Sequence, residues 1–176
     1  SMATLQPCLS PVLWTSIATG KAPWRHGVHG FVEPKPDRTG LRPVGSASRT
    51  CKALWNIASQ AGKRVHCVGW FASHPAEHIQ GVCVSDQFAI APTASTPQDW
   101  PLPAGCVQPE SQRERLKEFR WHPAENTAAD LQPFVNDAAH LDQTDPLQQR
   151  RLTFLSRTLA QCASVPATAT WLLEQE

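Results

Sequence analysis

The sequence lacks an excess of charge of either sign, a long apolar run and any closely spaced pair of cysteines. Its 176 residues carry a formal net charge of +1, so charge gives no reason to expect nucleic acid or an acidic membrane surface as a partner. No apolar run approaches the length of a membrane span, and no signal peptide is visible at the N-terminus. These absences predict a cytoplasmic protein that binds neither nucleic acid nor membrane.

The six cysteines are widely scattered, and none belongs to a C-x-x-C pair: Cys8, Cys51, Cys67, Cys83, Cys106 and Cys162. This spacing disfavours a zinc knuckle and favours buried free thiols in a reducing compartment. A second conceivable metal cluster would combine three histidines and two of these cysteines: His66, His74, His78, Cys67 and Cys83. Because His66 and Cys67 are neighbours on a predicted strand, they point to opposite faces and cannot hold one ion together. No metal site is therefore predicted in this region.

The chain is long enough for one domain with a substantial core. We predict an α/β core segment over residues 3–88, a Pro-rich connection over 89–109 and a helical segment of the same domain over 110–176. Helices are expected over residues 110–120, 126–134 and 146–163. Pro166 is expected to start or kink a final segment, because proline removes a helical N–H donor.

The clearest unit lies between residues 50 and 86. "RTCKALWNIASQAG" predicts a helix with Leu54 and Ala58 on its apolar face, and "RVHCVGW" and "GVCVSD" predict two short strands. Four valines of these strands are expected in the core: Val65, Val68, Val82 and Val84. A helix that ends at a single glycine, Gly62, and is followed by a buried strand indicates an α/β layer with a parallel or mixed sheet. In such sheets sites favour the ends of strands, where His74 and Asp86 lie.

The opening stretch "CLSPVLWTSIATGKAPWRHGVHGF", residues 8–31, predicts a helix that Ser10 caps, that continues with Pro11 and that ends at Gly20. The N–H groups and the positive dipole end of a helix form a ready anion site. A serine hydroxyl there can attack a phosphoryl or sulfuryl group if a metal or a base lowers its pKa. Helix caps are also common positions for serine without any chemistry, and spacing alone leaves both interpretations open.

The wider stretch "SPVLWTSIATGKAPWRHGVHGF" resembles the nucleophile segment of the alkaline phosphatase superfamily, and most closely its type I phosphodiesterase / nucleotide pyrophosphatase branch. In that branch a Thr or Ser shortly precedes a proline, a Thr-Gly follows nine residues after the nucleophile, and a Pro-x-x-His-Gly comes soon after. Ser10, Thr19-Gly20 and Pro23 to His26-Gly27 stand in this arrangement. "ALWNIASQAGKRVHCVGWFASHPAE" and "GVCVSD" also look like the family's next helix and strands. The resemblance extends from about Leu5 to Asp86.

The resemblance implies a partial alkaline-phosphatase-like α/β/α layer with a mostly helical C-terminal half. It also implies hydrolysis of a small phosphate ester through a covalent intermediate on Ser10. Thr15 and Ser16 lie one or two turns into the helix, where threonine and serine are common without a catalytic role.

Two histidines are implied as substrate-binding residues. His26 would hold the loop after the helix, and its alternative role is to order that loop by bonding to the backbone. In nucleotide pyrophosphatases an Asn five residues after the equivalent His helps to bind the phosphoryl oxygen. Phe31 occupies that place here, and His29 is the candidate substitute.

The family binds two divalent metal ions, usually zinc, through an Asp on the first strand, an Asp-x-x-x-His, an Asp-His pair and a distant His. The chain contains no Asp-His pair, and Asp137 precedes His140 by three residues rather than four. Only nine residues precede Ser10. We therefore expect no tightly bound metal and little activity from the chain alone, which would be an internal piece of a larger hydrolase or a truncated gene product. Uncovered edges would favour a homodimer. The alternative is a non-catalytic binding or scaffold domain derived from the same fold.

Overall fold

The computed structural model of the chain describes residues 4, 6, 8–92, 96–135 and 145–175. Its helices and strands follow in this order: α1 Ser10–Thr19, α2 Pro23–His26, β1 Val32–Pro34, β2 Leu41–Pro43, α3 Leu54–Gln60, β3 Val65–Trp70, β4 Gly81–Ser85, β5 Val107–Gln108, α4 Arg113–Lys117, α5 Ala128–Leu131 and α6 Pro146–Glu174. Over these described residues, no helix combines the length and the apolar character that crossing a bilayer requires. Asp137 and His140 lie outside the described residues.

The chain divides into two compact units. The first unit comprises Ser1–Phe88 with Pro103–Arg113, and the second comprises Ala89–Leu102 with Glu114–Glu176. The α/β core predicted from the sequence ends at residue 88, which is where the first unit is interrupted. Part of the Pro-rich segment returns to the first unit and supplies strand β5.

The main sheet of the first unit has the strand order β3–β4–β5. β3 and β4 are parallel, with Cys67 opposite Cys83, whereas β4 and β5 are antiparallel, with Val84 opposite Val107. The predicted parallel or mixed sheet is thus confirmed as a mixed one. β1 and β2 form a separate antiparallel hairpin. With helices around the sheet and a mostly helical C-terminal half, the chain has an α/β fold.

Helix α1 ends as its sequence predicts. Gly20 is left-handed, with φ of 64°, and its N–H donates to the Ser16 carbonyl at 2.8 Å. Glycine suits this position because it has no Cβ to clash in the left-handed region. The other end differs by one residue from the prediction, since Leu9 is the extended capping residue and Ser10 is already helical.

The helix predicted before β3 is confirmed as α3, but its buried face is different. Leu54 is 67% exposed, while Ala53 and Trp55 are buried. The Asn56 side chain accepts the N–H of Ala53 at 2.8 Å and so fixes the start of the helix at Leu54. The large indole of Trp55, rather than the leucine, therefore fills the core.

The core of the first unit is built around β4. Val82 and Val84 are buried as predicted, whereas Val65 and Val68 on β3 are only half-buried. Among the described strands β3 has a neighbour on one side only, so its side chains receive less cover.

The long helix α6 dominates the second unit. Asp145 caps it by accepting the N–H of Leu147 at 2.9 Å, and Pro146 is its first residue. Pro166 does not start a new segment, because α6 continues through this residue to Glu174. Proline removes one backbone donor, and the turns on either side keep the helix intact. The buried residues recur at every fourth position: Ala160, Ser164, Thr168 and Leu172.

Candidate functional site

Ser10 is the exposed first residue of α1. The first backbone bond of the helix runs from the Leu13 N–H to the Leu9 carbonyl at 3.0 Å. Because Pro11 has no N–H, the N–H groups of Ser10 and Val12 are the helix-end donors nearest to the hydroxyl. No described residue bonds to that hydroxyl. The location therefore agrees with the sequence, and the nucleophilic role of Ser10 stays a prediction.

Helix α1 lies against the carboxyl end of β3. The indole nitrogen of Trp70, the last residue of that strand, donates to the Trp14 carbonyl at 3.3 Å, and the two rings meet edge to face at 5.1 Å. Ser10 is one helical turn before Trp14. The carboxyl ends of parallel strands are where α/β sheets usually place their sites.

His26 is fully buried, and both of its ring nitrogens have partners inside the protein. Its Nδ1 accepts the N–H of Val28 at 3.1 Å, and its Nε2 lies 2.9 Å from the Ser16 hydroxyl oxygen. Its carbonyl also accepts the N–H of Thr50 at 3.1 Å. This geometry favours the loop-ordering role of His26, while substrate binding by this residue stays a prediction.

The pair formed by Ser16 and His26 resembles a nucleophile with its base, but its proton is on the wrong nitrogen. Because the Val28 N–H can only donate, Nδ1 must be unprotonated and Nε2 must carry the hydrogen. Nε2 therefore donates to Ser16 and cannot remove the proton of its hydroxyl. Burial, with a smaller effect from His29, lowers the pKa of His26 and so keeps the ring neutral.

The remaining residues that the sequence singled out in this region differ in exposure. Thr15 is buried inside the turn of α1, so it cannot meet a substrate. His29 is exposed and available as the predicted substrate-binding residue. Phe31 is 53% exposed and meets the ring of Phe71 edge to face at 6.4 Å. Substrate binding by His29 stays a prediction.

His74 and Asp86, which the sequence places after β3 and β4, line one cavity of about 350 Å³. The opposite wall is a loop held by two hydrogen bonds from Ser46, one from its N–H to the His74 carbonyl at 2.9 Å and one from its hydroxyl to the Pro75 carbonyl at 2.6 Å. A Cβ on Gly45 would come within 2.1 Å of the His74 carbonyl oxygen, so glycine is required there. Sequence reasoning did not identify this wall, because no local pattern reports a contact across 29 residues.

Asp86 is held firmly at the end of β4. Its Oδ2 accepts the N–H of Ala72 at 3.0 Å, and its own N–H donates to the Ser73 hydroxyl at 3.0 Å. Its other carboxylate oxygen, Oδ1, is buried and has no hydrogen-bond partner. Burial raises the pKa of Asp86, and the backbone N–H of Ala72 partly offsets this rise. The neighbouring His74 lies with Nδ1 3.1 Å from the Ser85 hydroxyl.

The described residues do not fit a two-metal centre. Nowhere in residues 8–92, 96–135 and 145–175 do three His, Cys, Asp or Glu side chains come together in a way that could hold an ion. His66, His74, His78, Cys67 and Cys83 form no such group, and all six cysteines are free thiols. We therefore derive no chemical step through a bound metal.

Comparison with known proteins relates the chain to a family. The sequence model of the family described as "Type I phosphodiesterase / nucleotide pyrophosphatase" matches residues 1–165. No curated protein and no solved structure matches the chain.

Proposed function

Because the chain belongs to the type I phosphodiesterase / nucleotide pyrophosphatase family of the alkaline phosphatase superfamily, we propose that it is a portion of a phosphoric ester hydrolase in which Ser10 is the nucleophile. The substrate would be a small phosphate ester. The single observation that supports Ser10 is its position as an exposed hydroxyl on the first residue of α1.

The other hydroxyl groups of α1 are less suitable. Thr15 is buried, and its neighbour Ser16 receives a hydrogen bond from His26. Thr19 is also buried and donates to the Thr15 carbonyl at 2.7 Å. Ser10 thus combines exposure with proximity to backbone N–H groups.

In the proposed reaction the Ser10 oxygen attacks phosphorus, forms a new P–O bond and loses its proton. The bond between phosphorus and the leaving oxygen breaks, and that oxygen takes up a proton to leave as an alcohol. Water then hydrolyses the phosphoserine ester and restores the hydroxyl. Throughout, the N–H groups at the start of α1 would donate to the charged phosphoryl oxygens.

The helix end alone supplies too little stabilisation for efficient catalysis. Its dipole contributes about 0.3–1 kcal/mol to a nearby anion. Enzymes lower their barriers by about 8 kcal/mol or more. The family is generally metal-dependent, with zinc the ion we propose, and such ions supply charge neutralisation at phosphoryl groups. Since the described residues do not fit a metal centre, we propose that the chain by itself turns over substrate slowly or not at all.

Covalent labelling tests the role of Ser10 without requiring turnover. The chain would be treated with a phosphoryl fluoride, and the labelled residue would be located by peptide mass spectrometry. Because fluoride leaves phosphorus more readily than an alcohol does, we expect slow formation of an adduct on Ser10 that disappears in Ser10→Ala and persists in Ser16→Ala, the matched control from the same helix. Labelling elsewhere, or none at all, would contradict the nucleophile and favour a non-catalytic binding or scaffold domain.

An activity assay tests the second part of the proposal. Release of nitrophenol from bis(nitrophenyl) phosphate would be measured with added zinc or manganese, alongside the bound metal content. We expect a rate near background and little retained metal. Stoichiometric metal together with turnover that Ser10→Ala abolishes would show that the chain carries a complete site.

A cytoplasmic location is also part of the proposal. All six cysteines are free thiols, and three of them are buried, as suits a reducing compartment. Cell fractionation would test it.

A further inference from the structure

Trp121 is exposed to solvent although hydrogen bonds hold it at both ends. The residue is 43% exposed. Its backbone N–H donates to the Ser164 hydroxyl on α6 at 2.8 Å, and its indole N–H donates to the side-chain oxygen of Asn126 at 2.9 Å. Asn126 in turn donates to the carbonyl and the hydroxyl oxygen of Ser156, both at 2.8 Å. An exposed ring fixed in this way is a preformed surface, since little freedom remains to be lost on binding.

This indole lines an open cavity of about 420 Å³ in the second unit, here called the Trp121 cavity. Its described lining is mostly apolar and comes from the segment after α4, from α5 and from α6: Trp121, Asn126, Ala129, Asp130, Pro133, Leu159 and Ala163. Asp130 is the single charged residue among these described lining residues. The volume lies in the lower part of the range found for small-molecule pockets.

The charge of the lining favours a cation. Oδ2 of the exposed Asp130 accepts the hydroxyl and the backbone N–H of Thr127, both at 2.7 Å. The hydroxyl and then the N–H lower the pKa of Asp130, so its carboxylate is charged at neutral pH. Arg120 precedes Trp121 in the sequence, but its guanidinium lies 3.5 Å from the ring centre of Trp100. That cation therefore stacks on a different indole.

The other polar groups of the cavity lining are already engaged. The indole N–H and the amide of Asn126 are used in the bonds to each other and to Ser156. A sugar would therefore leave hydroxyl groups unpaired against apolar walls. A bare ammonium ion would lose its strong hydration there without replacement. A cation covered by methyl groups fits apolar walls better, and its charge is attracted to the face of an indole.

We propose that the Trp121 cavity binds a small quaternary ammonium cation, with the indole of Trp121 as its contact surface and Asp130 as its counter-charge. The proposal goes beyond the hydrolase function, because it concerns a cation that carries no phosphate and residues of the second unit alone. Its outcome therefore does not depend on whether Ser10 is a nucleophile.

The test uses tetramethylammonium chloride as the probe and the full chain labelled with ¹⁵N, at about pH 7 and with total salt held constant by sodium chloride. We expect saturable shifts of the Trp121 indole N–H and of the backbone N–H groups of Asp130 and Ala163. tert-Butanol has a similar methyl surface without charge, and ammonium chloride has the charge without methyl groups. Both should bind at least about fivefold more weakly than tetramethylammonium.

Three variants test the two contacts and the cavity itself. Asp130→Asn keeps the shape of the side chain but removes its charge, and Trp121→Leu keeps an apolar side chain without an aromatic face. Ala163→Lys places a cation at an exposed lining position of α6. Each variant should weaken tetramethylammonium binding at least about fivefold and leave the amide spectrum away from the cavity unchanged.

Two matched controls carry the same kinds of change outside the cavity. Asp99→Asn removes an exposed carboxylate of the same unit, and Thr158→Lys adds a cation at an exposed position of α6 that does not line the cavity. Both should bind the probe as the unmodified chain does. Absence of saturable shifts, equal binding of tert-butanol or ammonium, or full binding by any of the three cavity variants would overturn the proposal.

Discussion

The indole nitrogen of Trp55 donates a hydrogen bond to the carboxylate of Glu77 at 2.8 Å. The same carboxylate accepts from the Asn56 side chain at 3.2 Å and forms an ion pair with Arg49, whose side chain is only 5% exposed and whose guanidinium lies 5.1 Å from the Trp55 ring centre. Glu77 therefore ties the start of α3 to the segment between β3 and β4.

Replacing this carboxylate by an amide should destabilise the first unit. In Glu77→Gln the buried guanidinium loses its counter-charge, so we expect the free energy of unfolding to fall by about 1.5–3 kcal/mol. Urea unfolding followed by tryptophan fluorescence would measure the change. Glu174→Gln, at an exposed position near the end of α6, should leave stability unchanged and serves as the control. A variant as stable as the original chain would show that the network contributes nothing.

His26 should make stability depend on pH. Because burial lowers its pKa in the folded chain, the unfolded chain takes up a proton here at a higher pH than the folded chain does. The free energy of unfolding should therefore fall as the pH drops below 6.5 and through the lower pKa of the folded state. In His26→Gln this part of the pH dependence should disappear.

Unfolding at about pH 7.5 and about pH 5.5 would measure the effect. At the higher pH the variant should itself lose about 1–3 kcal/mol, because Val28 and Ser16 lose their partner. His78→Gln, at an exposed position, should keep the original pH dependence. Equal pH dependence in His26→Gln and in the unmodified chain would contradict the assignment of a neutral buried ring.

Gly45 should resist replacement for a steric reason. In Gly45→Ala the new Cβ would lie 2.1 Å from the His74 carbonyl oxygen, so the loop must move away from the wall of the cavity. We expect a loss of about 1–3 kcal/mol, typical of overpacking. Thermal unfolding would measure it. The same change at Gly30, where a Cβ meets nothing within 4 Å, should cost far less. Similar losses in the two variants would exclude the close contact as the cause.

Self-association is expected from the uncovered apolar surface of the first unit. β3 has one strand neighbour among the described residues, and two side chains of α3 are exposed, Leu54 at 67% and Ile57 at 52%. Unpaired strand edges and exposed apolar groups favour association. We propose a homodimer through this surface, detectable by sedimentation equilibrium. Leu54→Lys should weaken it, and Leu147→Lys, at a similarly exposed apolar position on α6, should not. A monomer at all concentrations would refute the proposal.

Local sequence signals predicted where the helices and strands lie better than they predicted which side of each is buried. Gly20 correctly predicted the end of α1, and the apolar runs correctly predicted strands β3 and β4. The face of α3 was predicted wrongly, because apolar spacing treats Leu54 and Trp55 alike and does not register that Glu77 holds the indole in the core.

For the candidate site, too, the sequence predicted the positions of single residues but not the contacts between distant ones. The motif around Ser10 located a helix end, and strand ends located His74 and Asp86. The pairing of Ser16 with His26 had no local signal, because the left-handed turn at Gly20 and the short helix α2 bring these residues together. Such contacts depend on the path of the whole segment.

Strand β5 has a consequence for the order in which the chain is made. It pairs with β4 only after an excursion of residues 89–102 into the other unit. During synthesis the first unit therefore cannot complete its sheet until residue 108 has left the ribosome. Until then Cys83 and Val84 on β4 have no β5 residues to pair with. A fragment designed to end at Phe88 would carry the same gap permanently, so expression of this unit requires a boundary beyond Arg113.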